Sequence, residues 1–281
     1  MDYSFPRYLA AKQSIDDRSL NHTVWRMLLH ELPPGPLDIL EVGAGTGTMI
    51  DRLAARGMLS RGGRYTAIDA DPAGIAEARM RLAAAELPVH LELMAIDVHD
   101  FVRRERKRRW DLLIAHAFLD LVNVPRLLPQ LFALLRPGGL FYFTINFDGL
   151  TVLEPTVDPE FEQQVIDLYH RTMDERRVGG RPTGGSRAGR ALLGQIPDAG
   201  GEILAAGSSD WIVMPHKEVY PDDEAYFLRH ILYFFEGSLA GRSELDPARF
   251  AAWLARRRAQ IDGGELVFIA HQLDLCGRVG E

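Results

Sequence analysis

The chain has 281 residues, a formal charge of 32 − 39 = −7 and one cysteine, Cys276. That length allows one large domain or two small ones, and 47% apolar with 25% charged residues is a globular balance, not a disordered one. A lone cysteine excludes a disulfide framework and a cysteine zinc cluster, and the acidic balance disfavours a protein that coats nucleic acid, because neutralising phosphates needs a basic surface.

No apolar run approaches the ~18–20 residues of a membrane span. The start, MDYSFPRYLAAKQSIDD, lacks the basic head and apolar core of a secretory signal. A cytoplasmic protein with no membrane contact is the expectation. Monomer and homodimer both stay open.

Residues 4–32 read as helical, with Leu20, Val24, Met27 and Leu28 at helical spacing. Pro33-Pro34-Gly35-Pro36 stops that stretch. Strands and helices then alternate. Strands are predicted at 38–42, 64–69, 89–96, 111–115 and 140–147. Helices are predicted at 46–56, 71–86, 98–109 and 124–135. Gly57 suits a C-cap, and Asp71-Pro72 suits a helix start with Asp as N-cap. This alternation implies a parallel sheet with helices on both faces, a doubly wound α/β fold. The pattern breaks after residue 150. A helix over 158–177 precedes VGGRPTGGSRAGR at 178–190, then a short helix at 191–196 and extended sequence at 202–206 and 211–214. Helices at 222–240 and 247–260 lead to a last strand at 265–275.

The first strand-to-helix turn reads Leu40-Glu41-Val42-Gly43-Ala44-Gly45-Thr46-Gly47. Glycines let the backbone turn tightly and approach a ligand, and the next helix offers free N–H groups at its N-terminus. A dinucleotide fingerprint, G-x-G-x-x-G/A, does not fit: from Gly43 the third position is Thr48, and from Gly45 it is Ile50. No Gly-Lys-Ser/Thr follows, which excludes a P-loop.

Glu41-x-Gly43-x-Gly45-x-Gly47 resembles the first motif of the class I, Rossmann-like S-adenosylmethionine-dependent methyltransferases. The resemblance spans about 37–147, with Asp69 and Asp97 at the ends of the second and third strands and Arg136-Pro137-Gly138-Gly139 before the fifth. It implies a seven-stranded, mostly parallel sheet, with 1–36 as an N-terminal helical lid and 37–150 as the cofactor-binding core. Residues 151–281 would hold helical insertions and the last strands of the same sheet. It implies S-adenosylmethionine as methyl donor and S-adenosylhomocysteine as product. The donor site would comprise Glu41, Gly43, Ala44, Gly45, Asp69, Ala70, Asp97, Val98 and His116. Asp69 would meet the ribose hydroxyls, Asp97 the adenine amine, and Glu41 would help orient the methionine end. Asp69 and Asp97 also suit plain helix capping.

On the acceptor side the candidates are Tyr8, Phe118, Asp120, Asn146, His170 and Arg187, with Arg187 in a glycine-rich segment that reads as a lid over an anionic group. His116 is the candidate for proton transfer, since histidine titrates near neutral pH. Histidine stands where metal-dependent relatives carry an acidic residue, so no metal is expected. The basic run Arg103–Arg109 reads as a solvated face. The expected function is methylation of a small-molecule acceptor. Rival readings are an RNA or protein methyltransferase with the same core, and a nonenzymatic module that binds the cofactor.

Overall fold

A computed structural model describes residues 3–280; the first two residues of the 1–36 lid segment and Glu281 lie outside the described residues. The glycine turn is where the sheet begins to matter. Strand β1 (Leu37–Val42) enters it, and helix α4 (Thr48–Ala55) leaves it. Ahead of β1 lie α1 (Phe5–Ala11), α2 (Gln13–Ser19) and α3 (His22–Glu31). After α4 come β2 (Gly63–Asp69), α5 (Pro72–Leu82), β3 (His90–Ala95), α6 (Val98–Arg104), β4 (Trp110–His116), α7 (Val124–Phe132) and β5 (Leu135–Glu154). The chain then forms α8 (Pro159–Glu175), β6 (Arg177–Val178), β7 (Arg181–Pro182), α9 (Ala188–Asp198), β8 (Gly201–Ser208) and β9 (Trp211–Val213). Helices α10 (Glu224–Leu239) and α11 (Pro247–Asp262) precede β10 (Val267–Val279).

The main sheet runs β3-β2-β1-β4-β5-β10-β8, and β9 joins it beside β10 as an eighth strand. β1 to β5 pair in parallel, while β10 lies antiparallel to β5, β8 and β9. The doubly wound expectation therefore holds, with one strand more than seven. Two apolar layers cover the two faces. One packs Phe101, Leu127, Leu131, Leu192 and Ile196 against Phe141 and Phe143 of β5. The other packs Val24, Leu28, Ile50 and Leu53 against Ile39, Ile114 and Tyr142. β5 alternates between these layers and is buried on both sides, as a central strand must be.

A third apolar cluster lies beyond the carboxyl ends of the strands. It joins Tyr8 and Ile15 to Leu153, Phe161, Phe227, Phe235, Trp253 and Phe268. This cap forms one wall of the site.

Several boundaries differ from the sequence reading. Residues 4–32 are three helices instead of one: the first break is at Lys12, which ends α1 and starts α2, and the second is at Leu20 and Asn21, which are extended, the Asn21 side chain capping α3 by accepting from Thr23 and Val24 N–H. α4 starts at Thr48, since Gly47 is left-handed at φ +77°. α6 stops at Arg104, and the rest of the basic run turns back, with Arg108 between Glu92, Thr66 and the Trp110 ring. β5 is twenty residues long, passing through Arg136-Pro137-Gly138-Gly139 at one end and Asp148-Gly149 at the other. The first reads as a breaker and the predicted strand ends at 147; the register shift between Trp110 and Leu112 absorbs the first, and pairing to β10 carries the strand past Asp148-Gly149. The 178–190 segment is a two-strand hairpin followed by a single turn and α9, which starts at Ala188 and runs to Asp198, longer at both ends than the predicted 191–196.

Candidate active site

The carboxyl ends of β1, β2, β3, β4 and β5 open onto one cavity of about 590 Å³, roofed by α1, α8 and α10. Its position follows from the topology: in an open parallel sheet the crevice forms outside the strand ends.

The first wall is the glycine turn. Gly43, Gly45 and Gly47 all adopt positive φ, at +70°, +53° and +77°, a region that costs an L-residue ~1–2 kcal/mol. A Cβ on Gly43 would lie 2.3 Å from Phe118 Cδ2, so only glycine lets that ring close over the turn. Asp69, at the end of β2, fixes the turn from the side. Its Oδ2 accepts from Gly45 N–H at 2.8 Å and its Oδ1 from Asp71 N–H at 2.8 Å. Asp71 does cap α5, accepting from Ala73 and Gly74 N–H. Asp97 caps α6 through Oδ1, which accepts from His99 and Asp100 N–H. Both Asp69 and Asp97 also line the cavity, together with Ile68, Ala70, Ile96 and Val98. Asp97 is therefore a helix cap that also lines the cavity, whereas Asp69 lines it while bracing the glycine turn and caps no helix.

The second wall is apolar. Phe5, Tyr8 and Leu9 of α1, Ile145 and Phe147 of β5, Tyr169 and Met173 of α8, and Phe234 and Phe235 of α10 face the space, with Trp211 and Phe268 behind. Asp120, Arg176 and Lys12 are the charged groups on this side.

His116 sits where the two walls meet. Its Nδ1 is 2.8 Å from Thr144 Oγ1 and its Nε2 is 3.0 Å from Asp16 Oδ2 and 3.2 Å from Arg52 Nη1. Asp16 is almost wholly buried; it also accepts from Lys12 Nζ at 2.8 Å and from Trp211 Nε1 at 2.9 Å. Burial would raise the Asp16 carboxyl, but Lys12, His116 and Arg52 outweigh it and hold it far below the ordinary carboxylate range. Burial pushes His116 down to about 4, with Asp16 opposing and Arg52 assisting.

Of the residues singled out in the sequence, Gly43, Ala44, Gly45, Asp69, Ala70, Asp97, Val98, His116, Tyr8, Phe118 and Asp120 share this cavity. Four do not line it. Glu41 is buried beneath β1, where it accepts from Tyr65 Oη at 2.8 Å, and its carboxyl is raised to about 8 by burial. Asn146 turns its amide to Leu273 O, because it falls on the face of β5 toward β10. His170 bonds Thr151 instead of opening to the space. Arg187 is exposed on the turn before α9, and its neighbour Arg190 is engaged by Asp148, so this segment packs against β5 and is no arginine grip on the cavity. Sequence reasoning missed Asp16 and Arg52 as the support of the site, while Lys12 of the N-terminal segment and Tyr169 of α8, both open to the sequence reading as lid or lining, do line the cavity. The spacing of Asp16 and Arg52 gives no signal, since the partners of Asp16 lie up to 195 positions away.

The donor set fits a nucleoside with a charged tail. Two acidic side chains stand at adjacent strand ends among apolar side chains, and the glycine turn brings bare backbone alongside. A carboxylate oxygen accepts two donors, so Asp69 and Asp97 keep acceptor capacity beyond their backbone bonds.

Comparison with known proteins agrees with this geometry. Residues 39–139 match a family model described as a methyltransferase domain. A protein assigned as a methyltransferase from Bacillus halodurans C-125 superposes with a TM-score of 0.52 at 11% identity, covering 93% of this chain and all of that one. A protein assigned as a sarcosine dimethylglycine methyltransferase from Galdieria sulphuraria gives 0.46 at 15% identity, covering 92% and 84%. Phosphoethanolamine N-methyltransferase 2 of Haemonchus contortus, solved with phosphomonomethylethanolamine and S-adenosylhomocysteine, gives 0.46 at 11%, covering 92% and 52%. No curated protein matches the chain at a significant level.

Proposed function

We propose that this chain, whose residues 39–139 match a methyltransferase domain, is a class I, S-adenosylmethionine-dependent methyltransferase that methylates a small organic acceptor seated in the apolar half of the cavity. S-adenosylmethionine supplies an electrophilic methyl group on a sulfonium sulfur. The residues that would hold it are Gly43, Ala44 and Gly45 along the backbone, Asp69 and Ala70 at the ribose, and Asp97 and Val98 at the base. Ile68, Ile96 and Val98 give the base an apolar slot.

Transfer of this kind is an in-line displacement, so the protein's task is mainly alignment and exclusion of water. Phe118 closes over Gly43 and separates the two walls. His116, neutral at pH 7, steadies α2 against β4 through Asp16 and leaves its ring edge on the cavity. Tyr8, Leu9 and Lys12 bring the N-terminal helices over the opening, as a lid would.

The single observation that carries a small-molecule acceptor is the enclosure of the second wall. Its aromatic lining lies under α1, α8 and α10, and the space suits a compact apolar ligand better than a polymer strand. The test is calorimetric titration with S-adenosylhomocysteine, followed by a panel of small acceptors scored for methylated product. Asp69→Ala should weaken S-adenosylhomocysteine at least about tenfold, through lost bonds to a charged acceptor; unchanged affinity would sink the donor-site assignment. Retention on RNA that salt abolishes, with no small acceptor turned over, would favour the RNA reading instead.

A further inference from the structure

Leaving aside the exposed Ser238, four polar groups line the apolar half of the cavity with no hydrogen bond or ion pair from their side chains to another described residue: the Asp120 carboxylate, which is met only by its own backbone N–H, the Tyr8 and Tyr169 hydroxyls, and the Arg176 guanidinium. Elsewhere in this site polar side chains are satisfied, as Asp16, Arg52 and His116 are. A polar group left unpaired in an apolar enclosure is costly unless a ligand completes it. These four therefore mark where a polar group of the acceptor sits.

Asp120 is held from outside the cavity. A Cβ on Gly184 would lie 2.9 Å from Asp120 Cα, so the turn before α9 presses on its backbone and fixes its direction. Burial raises the Asp120 carboxyl to about 6, with Arg176 and Lys12 pulling it down. Burial also lifts both tyrosines, Tyr169 to about 12 and Tyr8 well above its ordinary value, so both hydroxyls stay protonated and can donate. Asp16 is the other carboxylate facing Tyr8, already saturated by Lys12, Trp211 and His116.

We propose that the acceptor carries a hydroxyl on a ring-sized apolar body, and that Asp120 takes the hydroxyl proton as the oxygen is methylated. This rests on the small-acceptor reading above. The acceptor oxygen bonds the methyl carbon, the carbon–sulfur bond breaks with its electron pair left on sulfur, and the freed proton passes to the Asp120 carboxylate, then to solvent. Arg176 and Lys12 stabilise negative charge growing on that oxygen. The same two cations would repel an ammonium acceptor. Phe147, Trp211, Phe234 and Phe268 supply the apolar surround for the body.

The probes are 2-naphthol and 2-methoxynaphthalene, which share a ring system and differ in the proton. Binding is measured by fluorescence titration with S-adenosylhomocysteine present. The wild-type protein should prefer 2-naphthol at least about tenfold at pH 7.5, the size of a charge-assisted hydrogen bond. Asp120→Asn should abolish the preference while leaving S-adenosylhomocysteine affinity unchanged. The preference should also fade as pH falls through about 6, where the carboxyl gains its proton. A preference that survives in Asp120→Asn, or no binding of either ring while S-adenosylhomocysteine binds, overturns the inference. Failure of S-adenosylhomocysteine itself to bind would instead strike at the donor-site reading beneath it.

Discussion

His116 Nε2 lies 3.0 Å from Oδ2 of Asp16, a residue 100 positions earlier. That contact ties α2 to the end of β4, on the boundary between the donor and acceptor halves. With the ring neutral at pH 7, a proton on Nε2 donates to Asp16 while Nδ1 accepts from the Thr144 hydroxyl, and Arg52, which can only donate, is then held by Asp16, Asp17 and Thr48 and not by the ring.

The first prediction concerns the charge of this ring. Its folded pKa is pushed down to about 4 from an ordinary 6.5, burial being the largest cause. Between those values the unfolded chain binds more protons than the folded one. The stabilising contribution is therefore full above pH 6.5 and is lost as pH falls toward 4. Urea melts at pH 7, 5.5 and 4.5 should show this decline, and His116→Gln should flatten it. Proton NMR should find the ring still neutral at pH 6.

Asp16→Ala removes the anion that Lys12, Arg52 and Trp211 share. Leaving buried cations without their partner costs about 3–5 kcal/mol. Asp16→Asn should cost less, because the amide oxygen still accepts from Trp211. Equal unfolding midpoints for the wild type and Asp16→Ala would contradict the buried network.

Glu41 predicts the opposite pH trend. Burial raises it to about 8 from an ordinary 4.5, so here the folded state binds the extra proton. Its contribution is full below 4.5 and is lost as pH rises through 8. Glu41→Gln, which cannot ionise, should leave stability near unchanged at pH 5 and raise it at pH 8.5. Denaturant midpoints of the two proteins at those pH values test this directly.

Much of the donor half was legible because its signals are local. Alternating apolar runs gave β1 to β5, Asp71-Pro72 gave the start of α5, and the glycine turn marked the ligand edge. The support of the site was not legible, because it joins distant segments: Arg52 meets His116 across 64 positions, and Trp211 meets Asp16 across 195. Glu41 was misplaced for a different reason. The motif puts a carboxylate beside the turn, but strand alternation turns this one under β1 toward Tyr65. The fifth strand is predicted to end at 147 because the apolar run stops there, whereas pairing to β10 on both sides of Asp148-Gly149 keeps the strand running to Glu154.

Gly43→Ala should be the sharpest single lesion of the donor side. It forces an L-residue to φ +70° and drives its Cβ into Phe118. The backbone strain alone is ~1–2 kcal/mol, or about five- to thirtyfold in an equilibrium. S-adenosylhomocysteine affinity should fall by at least that factor in calorimetry, with the far-ultraviolet circular dichroism unchanged. Full affinity in this variant would show that the turn does not meet the ligand.

The docking of the N-terminal helices has a consequence for the order of synthesis. Asn21 N–H bonds Asp274 Oδ2 in β10, its amide bonds Ser208 O at the end of β8, Ser19 bonds Asp210 O, and Arg18 grips Glu224 at the start of α10. These helices precede β8, α10 and β10 in the chain, so this set of anchors forms long after the helices are made, later than the Arg52 and His116 contacts to Asp16. The nascent chain carries Arg18, Ser19 and Asn21 without their anchors until residues 208–274 have been made. The edge of β5 is covered only when β10 slots in beside it, so a ribosome stalled before residue 267 would hold a glycine turn and five parallel strands with β5 still an open edge.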